Sequence, residues 1–341
     1  MDEAALERAL APFRLTAPFI RHYPGAHALA EALRCGLVQR LAAGPASHAE
    51  LAATATLPPP GLALLLALLR GAGVTQPDPA GEALTPGFRA ALPHLALMQA
   101  KLEAAALALP DFHAHLGPLL RDRAGFMAQA QIFALYRYDL ALREDAPALA
   151  ATARWMALTT ALTRHEAPVL LALHVFSGIR RLLEPGGNSG EMALHLTIAY
   201  PALAVTVLDL PAVCVLGRRH VGAAPRIAFD TTDLRRQPLP QGHDAVLFKS
   251  VLHDWPAAEA QRFLALAHAA LPPGGQVLIF ERTPLPAEAP LGYAQMQDML
   301  FHGFYRPPER YAEWLDALGF TAVVVQPVAL DVPFALVSAR R

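Results

Sequence analysis

The run Leu182-Leu-Glu-Pro-Gly-Gly-Asn-Ser-Gly190, followed by Val205-Thr-Val-Leu-Asp209, constrains this chain more than any other segment. It reads as an apolar strand, a glycine turn, the start of a helix, a second strand and an acid at that strand's C-terminal end. Glycines let the backbone approach a ligand closely, and a helix N-terminus points N–H groups at it. An acid at the tip of the next strand accepts the hydroxyls of a ribose. The pattern points to a nucleoside-bearing ligand. An ordinary tight turn between strand and helix is the plain alternative.

The bulk numbers narrow the choice. The chain has 341 residues, 54% of them hydrophobic, enough for one large domain or two with real cores. Its formal net charge is −1, so no global field favours nucleic acid or an anionic membrane. Lys101 and Lys249 are the only lysines. Cys35 and Cys214 lie far apart and offer neither metal-ligand spacing nor a disulfide framework. No metal is expected. An acidic Met1-Asp-Glu3 differs from a basic secretory leader, and the longest pure apolar run, Leu62 to Leu69, is too short to span a bilayer. A cytoplasmic protein without membrane contact is the expectation.

Three regions follow. Residues 1–100 read as short helices with a turn-rich end. Ser47-His-Ala-Glu50 has capping-box spacing, Gly61 to Leu69 is a very apolar helix, and Val74 to Leu84 reads as a small β wing. A DNA-reading version of such a winged-helix module needs a basic, polar recognition helix. These residues instead carry seven arginines against seven acids, and the candidate helix is nearly all Leu and Ala. That favours dimerisation over nucleic acid. Residues 101–175 read as long helices, with Phe133 to Asp139 and Arg154 to Glu166 at roughly helical spacing. They form the expected linker and acceptor-binding region.

From residue 176 to 341 strands and helices alternate. Strands are predicted at Arg180–Leu183, Val205–Leu208, Arg226–Phe229, Ala245–Phe248, Gln276–Phe280, Ala322–Val325 and Phe334–Val337. This rhythm predicts an α/β fold, a Rossmann-like, doubly wound, mostly parallel sheet. Ligands of such sheets bind outside the carboxyl ends of the strands. Gly186–Gly190, Asp209, Asp233, Lys249 to Trp255 and Glu281 would all lie on that rim. His253, just past one strand, with Glu281 on the tip of a neighbour, has the makings of a general base. Imidazole titrates near pH ~6.5, and a carboxylate on its far nitrogen fixes the tautomer.

The stretch from Phe176 to Phe320 resembles the plant-type, or caffeate and acetylserotonin, class I S-adenosylmethionine-dependent methyltransferases. The shared motifs are Leu183-Glu-Pro-Gly-Gly-Asn-Ser-Gly190, Val207-Leu-Asp-Leu-Pro211, Asp233 ahead of Pro238-Leu-Pro, Asp244-Ala-Val-Leu-Phe-Lys-Ser-Val-Leu-His-Asp-Trp255, Leu271-Pro-Pro-Gly-Gly275, Glu281, and Arg306-Pro-Pro-Glu-Arg-Tyr up to Leu318-Gly-Phe320. The resemblance implies S-adenosyl-L-methionine as cofactor and an N-terminal winged-helix domain that forms a homodimer. It assigns Glu184, Gly186, Gly187 and Gly190 to the cofactor's amino-acid end. It assigns Asp209 with Leu210 to the ribose, Asp233 with Leu234 to the adenine, and Lys249 to the cofactor's edge. His253 takes the role of base and Glu281 that of an acid orienting it. Met156 matches a position that packs on the acceptor.

Two departures stand out. Asn188 replaces a family glycine, and Tyr305 stands where a further acid is expected near the histidine. Asparagine tolerates positive φ, so the turn survives. Tyr305 weakens the expectation of strong base catalysis, leaving oxygen or sulfur open as acceptor atom. Tyr136, Arg137, Met156, His165, His302 and Tyr305 are the acceptor-site candidates, with Arg137 and the histidines suited to a carboxylate. Aromatic residues are 7% of the chain, which suggests a small acceptor. One branch compatible with both departures is the bacterial methylthiohydroxybutyrate S-methyltransferases of dimethylsulfoniopropionate synthesis. A winged-helix regulator that senses the cofactor without catalysis is the reading from another class. A dehydrogenase would show the G-x-G-x-x-G spacing that this run lacks.

Overall fold

The structure, a computed structural model, describes residues 3–20, 23–286 and 291–341. They form two compact units: residues 10–113 with 291–299, and residues 3–9, 114–286 and 300–341.

In the first unit Ser47 opens α1 (His48–Ala55). Its hydroxyl accepts the Glu50 N–H at 3.3 Å, and Glu50 Oε2 accepts the Ser47 N–H at 2.9 Å, closing the capping box. Prolines preset the start of α2 (Pro59–Gly71), which buries Leu62, Leu65, Leu66 and Leu69. An antiparallel hairpin follows, β1 (Thr75–Asp78) and β2 (Gly81–Leu84). Glu82 is fully buried in β2 and ion-paired with Arg70 of α2, which compensates its charge. The predicted order of helix, helix and hairpin is therefore present.

The expected long helices run as α3 (Leu95–Arg121), kinked at His115 where φ and ψ leave the helical range, and α4 (Ala146–Leu173). Phe133 to Asp139, predicted helical, is not. Ile132–Leu135 makes one 3-10 turn, after which Arg137 grips Asp139 with two hydrogen bonds of 2.8 and 2.7 Å. Side chains two apart diverge on a helix, so this bidentate pair belongs to a turn.

The second unit is built on seven strands: β3 (Arg181–Pro185), β4 (Ala204–Asp209), β5 (Ile227–Thr231), β6 (Ala245–Lys249), β7 (Gln276–Arg282), β8 (Thr321–Ala329) and β9 (Pro333–Arg340). Their order is β5-β4-β3-β6-β7-β9-β8. The first five are parallel, and β9 pairs antiparallel with β7 and β8. Central β6 and β7 are continuous apolar runs because both their faces are covered. Helices α5 (Glu191–Ala199) and α6 (Pro211–Val221) pack on β4 and β5. Helices α7 (Ala257–Ala270) and α8 (Pro308–Ala317) close the other half, where Phe263, Leu264, Tyr311 and Leu315 meet Phe248, Ile279 and Val337. Strand order reverses at β3, so the loops after β3 and β6 flank the crevice where such sheets bind ligands. Among the described residues no single helix is long and apolar enough to cross a membrane.

Gly217 seats α6 on this sheet. A Cβ there would lie 2.3 Å from the Phe229 ring of β5 and 3.2 Å from the Asn188 carbonyl. Gly217→Ala should cost about 1–3 kcal/mol by overpacking, read as a lower urea midpoint. An unchanged midpoint would refute this seating.

Candidate active site

Strand β3 carries Glu184 and Pro185 to the rim, where Gly186–Gly190 turns the chain into α5. Gly186, Asn188 and Gly190 hold φ of 70°, 57° and 75°. Space forbids side chains as well. A Cβ on Gly186 would meet Val251 at 2.7 Å, one on Gly187 would meet Glu184 and Val207 at 2.9 Å, and one on Gly190 would meet Phe229 at 2.8 Å. Asn188 fits because its own side-chain oxygen accepts the Ser189 N–H at 2.7 Å, folding the amide back onto the loop. The departure at this position therefore leaves the turn intact.

Asp209 ties two turns together. Its Oδ2 accepts the Asn188 N–H at 2.9 Å and its Oδ1 the Leu210 N–H at 2.8 Å. Burial pushes its carboxyl up to about 6, opposed by those two N–H groups. Each oxygen keeps acceptor capacity for a ribose hydroxyl. Glu184 is buried under the loop, and its Oε2 has no hydrogen-bond partner among the described residues. Burial pushes it up to about 8; Lys249 draws it down and Asp209 pushes it further up. An orphaned buried carboxyl beside a glycine cradle fits the ammonium end of an amino-acid-bearing nucleoside.

The remaining cofactor candidates are already engaged. Lys249 is half-buried, paired with Glu166 and donating to Thr163 Oγ1 at 2.8 Å. Glu166 also takes Arg282 at 2.8 Å, so α4 is bound to the ends of β6 and β7. Asp233 pairs with Arg235 at 2.9 Å, while Leu234 packs on the core and its carbonyl accepts from Arg262 at 2.9 Å. Among the described residues no cluster of His, Cys, Asp and Glu has the arrangement of a metal site.

Past β6 the chain turns through His253. Its Nδ1 lies 2.5 Å from Glu281 Oε2, and Glu281 Oε1 accepts the Val251 and Leu252 N–H groups at 2.8 and 2.7 Å. Glu281 is thus pinned by three partners. The opposite nitrogen of His253, Nε2, has Asp254 Oδ1 at 3.2 Å. Burial opposes a charge on His253, but Glu281 and Asp254 outweigh it and hold the imidazole above its usual value. Val251, the residue whose side chain meets Gly186, joins this centre to the glycine loop.

The acceptor candidates divide. Tyr305 is buried, edge-on to His253 with ring centres 5.5 Å apart. It supplies no acid, yet a second carboxylate does exist: Asp254, the neighbour of His253 in sequence. The expectation that Tyr305 leaves the histidine short of acid is corrected accordingly. Met156 is buried against Trp155, Ala212 and Val213, and lines a cavity of about 220 Å³ with Thr160, Arg164 and Ser189. Tyr136 packs on Trp155 and Phe301. His165 is half-buried on α4. Arg137 is exposed with its guanidinium on Asp139, and His302 is exposed.

The proton state of Glu184 is testable. Folded Glu184 keeps its proton up to about pH 8, while an unfolded glutamate loses it near ~4.3. Stability therefore falls as pH climbs through that window. In ligand-free protein Glu184→Gln should raise the melting temperature at pH 8, by roughly 2–4 °C per kcal/mol relieved, and change little near pH 4. A gain equal at both pH values would contradict it.

Comparison with known proteins places these features. Residues 135–321, more than half of the chain, match the O-methyltransferase domain. The 3-hydroxy-5-methyl-1-naphthoate 3-O-methyltransferase of Streptomyces sahachiroi is 44% identical over 108 residues, 31% of each chain. Demethylspheroidene O-methyltransferase of Rhodobacter capsulatus is 32% identical over 148 residues, 42% of this chain and 37% of its own. The matched stretches span less than half the length of these relatives. Human N-acetylserotonin methyltransferase in complex with S-adenosylmethionine superposes over 100% of this chain and 98% of its own, with a TM-score of 0.74 at 21% identity, a likeness of fold. The matched domain carries the glycine loop, Asp209, His253 and Glu281, and the chain belongs to the O-methyltransferase domain family.

Proposed function

We propose that this protein moves the methyl group of S-adenosyl-L-methionine to a hydroxyl oxygen of a small aromatic molecule. One observation carries the reading: a histidine locked by a pinned carboxylate stands beside a glycine cradle that holds an orphaned acid. The cofactor, when bound, supplies an electrophilic methyl group on a sulfonium. The chain's residues do the rest. The loop and Asp209 hold the nucleoside, and Glu184 receives the ammonium. Alignment of acceptor oxygen and methyl carbon is the main catalytic demand. His253 Nε2 takes the hydroxyl proton, and Glu281 on Nδ1 stabilises the imidazolium that results.

A thioether acceptor needs no base, so this centre favours oxygen over the methylthiohydroxybutyrate reading. Aromatic rings, few overall, are gathered in one place. Tyr138 stacks on Trp255 and meets Trp155, which reaches Tyr136, Phe301 and Phe133 in turn. Such a wall offers edge and face contacts to a flat acceptor and excludes water. It supports an aromatic hydroxyl more than a carboxylate-bearing chain, because Arg137 is engaged elsewhere. The name of one structural neighbour supports the aromatic ring and the hydroxyl: an O-methyltransferase of neocarzinostatin biosynthesis was solved with 2-hydroxy-5-methyl naphthoic acid, which also carries a carboxylate. A homodimer in the cytoplasm remains part of this proposal. The neutral charge balance of residues 1–100 speaks against a DNA-binding regulator.

Release of S-adenosylhomocysteine over a panel of phenols, naphthols, hydroxyindoles, hydroxy acids and methylthio acids tests the reading. Turnover confined to methylthio acids would overturn it. His253→Ala should lower kcat by roughly 10²–10⁴-fold with cofactor affinity retained. Asp209→Ala should weaken cofactor affinity first; unaltered affinity in a folded variant would remove the ribose assignment. The base must be neutral to act and its pKa is raised, so kcat/KM should climb with pH through a value above ~6.5. An acid limb well below that value would show that Glu281 and Asp254 do not govern the imidazole.

A further inference from the structure

His253 stands between two carboxylates of different kinds. Glu281 is held by two backbone N–H groups and the imidazole, and has no freedom to turn away. Asp254 is half-buried, its side chain 28% accessible, with one oxygen 3.2 Å from His253 Nε2. Its other oxygen, Oδ2, accepts the hydroxyl of Tyr138 at 2.8 Å, from a segment 116 residues away in sequence. The Tyr138 ring is itself fixed. It stacks on Trp255 at 6.4 Å and 23°, and meets Trp155 edge-on at 5.7 Å. A rigid phenol between two indoles is a precise hydrogen-bond donor, and a carboxylate held by one donor loses rotational freedom at the other oxygen.

We propose that Tyr138 is a positioning residue of this enzyme: its hydroxyl holds Asp254 ionised and turned toward His253 Nε2, and so sets the proton affinity of the base. The proposal rests on the reading of His253 as base. Burial raises the Asp254 carboxyl, while His253 and the Tyr138 hydroxyl lower it. Losing the hydroxyl therefore favours neutral or rotated Asp254, which withdraws negative charge from beside Nε2. The other groups that face this pair are Glu281 and Arg282 of β7, Tyr305, and Tyr311 of α8. Arg306 braces the turn by donating to the Leu252 carbonyl at 2.7 Å and to that of Trp255. Tyr138→Phe removes this hydrogen bond and keeps the stacked ring.

The test measures His253 directly. Nitrogen-15 NMR titration of its imidazole in full-length protein is compared among the parent, Tyr138→Phe, Asp254→Asn and the double variant. Tyr138→Phe should lower the His253 pKa, shift the acid limb of kcat/KM to lower pH by the same amount, and leave cofactor affinity unchanged. The shift in the double variant should equal that of Asp254→Asn alone, because Tyr138 acts through Asp254. A Tyr138→Phe protein that is folded and binds cofactor, yet shows an unmoved His253 titration, would overturn the proposal. So would shifts that add in the double variant. If instead His253→Gln keeps full turnover, the base reading fails, while the NMR comparison still judges the link from Tyr138 to His253.

Discussion

The centre of this protein depends on one buried carboxylate. Glu281 sits at the end of β7 with almost no exposure and accepts from two backbone N–H groups and one imidazole. A buried acid with fewer partners would be costly; with three it becomes a fixed point. The turn after β6 wraps around it, which brings Val251 under the glycine loop and His253 to the rim. Turn and side chain meet in that carboxylate, since the group that closes the turn also orients the His253 imidazole.

Around this point the rim is tied by polar groups whose partners come from distant segments. Asp209 links the turn after β3 to the turn after β4. Glu166 reaches from α4 to Lys249 and Arg282 at the ends of β6 and β7. Glu191, at the first turn of α5, is held by Arg164 at 2.8 Å and His220 at 2.5 Å. Burial works against its charge, but His195, Arg164 and His220 together keep the carboxyl well below the usual range. These buried acids are compensated, and they fix the helices relative to strand ends. Glu184 is the exception. Its Oε2 has no hydrogen-bond partner among the described residues.

Much of the site was legible because its residues lie in short local patterns. A glycine loop between strand and helix, an acid at the next strand tip and a histidine past a third strand each announce themselves within a few residues. Sheet topology then aligns strand ends without any further information. Asp254 was equally visible, but a His-Asp pair in sequence says nothing about which way either side chain turns. The Tyr136–Asp139 turn was misread because apolar spacing imitates a helix, while the ion pair of Arg137 with Asp139 selects a turn.

The sequence by itself determined the alternation of apolar strands and helices, the glycine cradle, and the placing of His253 and Glu281 at strand ends. Those follow from local sterics and periodic burial, which act over a few residues. Only the tertiary structure decided which carboxylates face His253, that Lys249 is spent on Glu166, and that scattered aromatic residues form one wall. Such pairings join segments more than a hundred residues apart, as Tyr138 and Asp254 or Phe133 and Phe301 show. No local rule encodes them, because each is chosen by whichever buried polar or aromatic group the packed sheet and helices bring within reach.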